Sequence, residues 1–102
     1  MITQEQKQIA IGEYIGAKFI NDAQDEFPNG YYMTRNARFD LPLKVNDWEF
    51  DCNYIWQMLV LEQIAIDYCG DIQFVINNVL KFNNKWKTPN DLFEAIYNYI
   101  AK

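Results

Sequence analysis

Asp47, Glu49 and Asp51 alternate along the chain, and in an extended segment that spacing sets three carboxylates on one side, where Ca²⁺ or Mg²⁺ could meet them. The intervening residues are Trp48 and Phe50, and the glycine and later bidentate glutamate of an EF-hand loop are missing. The simpler reading turns the aromatics inward, leaves the acids in water and uses Asp51 to cap a following helix, so no metal is expected. Cys52 and Cys69 are the two cysteines, with 16 residues between them and no C-x-x-C partner. Zinc needs four ligands, and in a chain without histidine that set cannot be completed from Cys and His. Two half-buried, inert thiols are expected instead. Nothing in the sequence indicates the oxidising compartment in which a disulfide would form.

Other catalytic chemistry is equally short of parts. A hydrolytic triad needs a base that titrates near neutrality, normally histidine, and there is none. Neither cysteine has a neighbouring base to activate it. A carboxylate pair of the glycosidase kind needs a cleft, for which a domain this small has little room. The four glycines, at 12, 16, 30 and 70, form no phosphate-binding loop. These absences argue against an enzyme and against a cofactor.

What the sequence does offer is contact chemistry. Residues 31–39 hold both arginines, Arg35 and Arg38, beside Tyr31, Tyr32 and Phe39, while residues 81–87 hold Lys81, Lys85 and Lys87 with Phe82 and Trp86. If both stretches lie on one sheet they form a basic aromatic face able to stack bases and meet phosphates, so single-stranded nucleic-acid binding is the alternative function. The net charge of −5 makes nucleic acid the less favoured partner. Three tryptophans and seven tyrosines exceed what a small core readily covers. Tyr31, Tyr32, Arg35, Arg38, Trp48 and Trp86, near loops and strand ends, are the candidates for a protein-contact surface.

The elements that would position these residues can be read in turn. Half of the 102 residues are apolar, which suits a single folded domain over 1–102 that buries roughly two-thirds of its unfolded surface. No apolar run approaches a membrane span, the longest being residues 58–61. The start has neither the basic nor the apolar stretch of a signal peptide, so a cytoplasmic protein away from membranes is expected. Charge is blocked: residues 45–71 carry six acids and no Lys or Arg.

Thr3 and Gln6 make a capping-box pattern, followed by Ile9, Ala10, Tyr14 and Ile15 at helical spacing and Gly16 as a stop. A short strand is expected near Phe19 and Ile20. The turn signal Pro28-Asn29-Gly30 then introduces a second strand at about 31–35. Asp51 would cap a central helix whose apolar positions are Ile55, Met58, Leu59, Leu61, Ile64 and Ala65, ended by Gly70 and Asp71. Ile72, Phe74 and Ile76 alternate with Gln73 and Val75, and a second run follows Asn77-Asn78 at 79–82, which predicts a hairpin. Thr88-Pro89-Asn90-Asp91 opens a last helix presenting Leu92, Phe93, Ile96, Tyr99 and Ile100. The expected fold is α+β: a small, mostly antiparallel sheet packed with about three helices in the order α-β-β-α-β-β-α.

Residues 53–64, Asn-Tyr-Ile-Trp-Gln-Met-Leu-Val-Leu-Glu-Gln-Ile, resemble the aromatic-x-Trp-x-Met-x-Val-x-Glu-x-Ile stretch of small uncharacterised proteins of phages and Bacteroidetes genomes. The opening helix with its following strand, at 11–19, and the closing Glu94-Ala95-Ile96-Tyr97 take the corresponding places. The resemblance implies a phage-type α/β sandwich and no assigned activity. Together these readings predict a small accessory protein, encoded by a phage or other mobile element, that works through contacts with a protein partner or with itself. Its acidic block could also dock on a basic surface of a host protein.

Overall fold

The computed structural model describes residues 2–21, 30–33, 41–42, 44–81 and 88–101. The chain divides into two compact units, Met1–Trp48 and Glu49–Lys102. The described elements are α+β, dominated by helices, with one two-stranded antiparallel sheet.

In the first unit, α1 spans Gln4–Tyr14. Its start is the expected reciprocal cap: the Gln6 amide N–H donates to Thr3 Oγ1 at 3.1 Å, and the Thr3 N–H donates to Gln6 Oε1 at 2.8 Å. It ends at Gly16, whose φ of 113° only glycine adopts cheaply. Two strands, β1 (Lys18–Ile20) and β2 (Tyr31–Met33), pair antiparallel with Phe19 opposite Tyr32. The second strand therefore starts where the turn signal placed it; the expected continuation to Arg35 lies outside the described residues. The inward face of α1 differs from the apolar pattern. Gln8, Ile11, Gly12 and Ile15 are buried, at i, i+3, i+4 and i+7, whereas Ile9, Ala10 and Tyr14 are half-buried. The reason is Trp48, which follows a 3₁₀ turn at Val45–Asp47. Its ring needs the bare surface of Gly12, and its carbonyl accepts the Gln8 side-chain N–H at 3.2 Å.

In the second unit, α2 spans Tyr54–Asp67 and is capped by Asn53, not Asp51: the Asn53 side chain accepts the Ile55 N–H at 2.9 Å. Asp51 instead lies in the turn before the helix. At the other end the left-handed residue is Cys69 (φ 53°), and the Gly70 N–H closes on the Ala65 carbonyl at 3.0 Å. In place of the hairpin expected from residue 72 onward, residues 72–79 are helical. Asp71, read as a terminator, caps α3 (Ile72–Phe74) by accepting the Phe74 N–H at 2.8 Å, and Val75–Val79 continue as a π turn. The alternation was ambiguous: Ile72, Val75, Ile76, Val79 and Leu80 also fall at i, i+3, i+4, i+7 and i+8. All five are buried or half-buried against that helical period.

The last helix, α4 (Pro89–Ile100), starts with the predicted box, Thr88 Oγ1 accepting the Asp91 N–H while Asp91 Oδ2 accepts the Thr88 N–H. It lays Leu92, Phe93 and Ile96 into a core shared with Val60, Leu61 and Ile64 of α2. Thr88→Ala removes one side of this reciprocal cap. It is expected to cost about 1 kcal/mol in urea denaturation.

Candidate interaction surface

Of the six residues selected from sequence, Tyr31, Tyr32 and Trp48 are described; Arg35, Arg38 and Trp86 lie outside the described residues. Tyr31 and Tyr32 are half-buried on β2. Trp48 is a correction: it is 3% exposed, so it cannot belong to a contact surface. Its indole N–H donates to the Pro42 carbonyl at 2.7 Å, and Tyr32 meets its ring edge-on, with centroids 5.6 Å apart. Phe19, 49% exposed, extends this aromatic row, with its ring centroid 5.3 Å from that of Tyr32. Partial burial, and then the carboxylates of Glu13 and Glu5, raise the Tyr32 phenol above its ordinary range. The inward disposition of aromatics around Asp47, Glu49 and Asp51 is the one found, since Phe50 is buried as well as Trp48. Among the described residues no cluster of three or more metal-ligating side chains is drawn together.

The thiols depart from expectation, because Cys52 and Cys69 are both exposed and free rather than half-buried. Each falls in the turn at one end of α2, outside the face that packs. Local desolvation, a hydrogen bond from the thiol to Asp51, and the negative charges of Asp51 and Glu49 raise the Cys52 pKa. The thiolate is the reacting form, so Cys52 should react slowly with a disulfide reagent near neutral pH despite its exposure. In a Cys69→Ser background, Asp51→Asn is expected to speed that reaction and shift its pH profile to lower pH. An unchanged profile would contradict the role given to Asp51.

Among the described residues, α2 carries exposed aliphatic side chains on one side. At 100° per residue, Gln57, Val60, Leu61, Ile64 and Ala65 lie on one side of the helix and are buried. Ile55, Leu59, Glu62 and Ile66 fall on the opposite side, where Ile55 is 72% and Ile66 56% exposed and Leu59 is half-buried. A helix with large aliphatic side chains on both sides is normally covered on both. Here one side is left uncovered. From sequence, Ile55 and Leu59 read as part of the apolar face and Ile66 does not stand out. The available signal was the width of the apolar pattern, which is more than one packed face can use. Elsewhere in this unit a pocket of about 330 Å³ is bordered by Val79, Leu80, Glu94, Asn98 and Tyr99. The nearby Asp91 carboxylate is committed to the α4 cap.

Compared with protein-family models, with curated proteins and with solved structures, the chain matches none. No described helix is long and apolar enough to cross a membrane.

Proposed function

We propose that this protein is a small accessory protein that acts by contacting another protein, with the outward side of α2 as the contact surface, and that it performs no catalysis. The observation that carries the reading is the pair of branched side chains, Ile55 and Ile66, held in water on a helix whose other side is fully packed. Burying such a stripe against a partner removes apolar area from water at about 25 cal/mol per Å². The alternative, single-stranded nucleic-acid binding, needs the basic aromatic stretches 31–39 and 81–87 on one sheet face. Most of those residues lie outside the described ones, and the exposed Ile55 and Ile66 of α2 favour protein contact instead.

The test is capture from host lysate at moderate salt, comparing the protein with its Ile55→Ser/Ile66→Ser variant. Both positions are exposed, so the variant should keep the parent's melting temperature while losing the captured protein. Equal capture by both proteins, or no capture by either, would count against this reading.

A further inference from the structure

We infer that the outward face of α2 accepts a basic amphipathic helix of another protein; this rests on reading that face as the contact surface. Two observations select the occupant. The first is spacing. Ile55, Leu59, Glu62 and Ile66 follow one another by four, three and four residues, the seam along which one helix lies on another. They span about 16 Å of helix at 1.5 Å per residue. An extended strand would instead need an open sheet edge to pair with, and α2 has none to offer.

The second is charge. Residues 49–71 of this unit carry five acids and no Lys or Arg, and α2 itself carries Glu62 and Asp67. Its last turn has no basic residue to complement the negative end of the helix dipole. A second copy of the chain would bring the same acidic stretch against itself. In an antiparallel pair its Leu59 would face Glu62, so self-pairing is disfavoured by both desolvation and repulsion. A partner helix with aliphatic residues opposite Ile55, Leu59 and Ile66, and with Lys or Arg opposite Glu62 and on its flanks, meets both conditions. Its apolar side covers Ile55, Leu59 and Ile66, and its cations face the acidic rim.

The proposal is tested on the full chain with three labelled synthetic peptides, read by fluorescence anisotropy at two salt concentrations. One is a Leu/Lys heptad helix, one its Leu/Glu counterpart, and one a scrambled Leu/Lys peptide of equal charge without an apolar face. The Leu/Lys helix is expected to bind, more weakly at high salt, and at least ~10-fold better than either control, a gap of about 1.4 kcal/mol. Ile55→Ser/Ile66→Ser should abolish the preference over the scrambled peptide, and Glu62→Lys/Asp67→Lys should move it to the Leu/Glu helix. Equal binding of the scrambled and heptad Leu/Lys peptides would overturn the proposal. So would light scattering after size-exclusion chromatography that shows a dimer lost in Ile55→Ser, because the face would then belong to a second copy. In either case, lysate capture that still depends on Ile55 and Ile66 would leave the contact reading standing. Capture indifferent to both would remove that reading too.

Discussion

Gly12→Ala is expected to destabilise the first unit by about 2 kcal/mol, although alanine is much the better helix former. A Cβ built on Gly12 lies 2.3 Å from Cζ3 and 2.7 Å from Cη2 of Trp48. Relief would require the indole to withdraw, and it is held at both ends. Its ring N–H is bonded to the Pro42 carbonyl, and its main-chain carbonyl is bonded to the buried Gln8. The helix-propensity gain of about 1 kcal/mol offsets only part of an overpacking cost that in cores runs to roughly 3 kcal/mol. Urea denaturation compares the two proteins directly. A variant as stable as the parent would mean that the ring moves freely and that its anchoring is weak. In a Trp48→Leu background the same Gly12→Ala change should cost less, since the smaller side chain leaves room for the methyl.

Gln57→Glu is expected to have an effect of at least that size, and one that depends on pH. Gln57 is fully buried, and its side-chain N–H groups donate to the carbonyls of Phe50 and Pro89, each at 2.7 Å. With two acceptors fixing the amide nitrogen, Oε1 is left buried and without a hydrogen bond among the described residues. A carboxylate here would point both oxygens at buried acceptors or apolar surroundings, which raises its folded-state pKa above the unfolded value of about 4.3. The folded form then binds the proton more tightly. The added destabilisation is therefore small below about pH 4 and grows as pH rises from there towards the raised pKa. Gln57→Leu removes both donors without adding charge and should cost about 3 kcal/mol at any pH, from two stranded carbonyls. Denaturation of the two variants at acid and neutral pH separates these outcomes. A pH-independent difference between Gln57→Glu and the parent would mean that water reaches the site.

Features decided within four residues were legible from the sequence. The two reciprocal caps, Thr3 with Gln6 and Thr88 with Asp91, form as their spacing requires, because every partner is local. The start of β2 after Gly30 was legible for the same reason. Features decided at long range were not. Gln8 and Gly12 do not look like core residues, yet both are buried because Trp48, some forty positions away, needs a donor and a bare helix surface. The identical requirement took Trp48 out of the candidate surface. Residues 72–79 satisfy a period of two and a helical period alike, and packing against α2 decides between them. Asp51 and Asn53 were both competent caps, and the turn through Asp51 and Cys52 gave the position to Asn53. The outward stripe of α2 was concealed by its own hydrophobicity, since Ile55 and Leu59 look in sequence like the residues that are packed.

The exposed thiols of Cys52 and Cys69 stand just before and just after α2, a helix about 21 Å long at 1.5 Å per residue. The native chain thus carries its own pair of reporter positions, one at each end of the helix assigned to partner contact, and single-serine variants separate them. A spin label at either thiol would broaden signals from the nearer end of a bound peptide. Comparing the two labels would reveal which way round that peptide lies, without any cysteine being introduced.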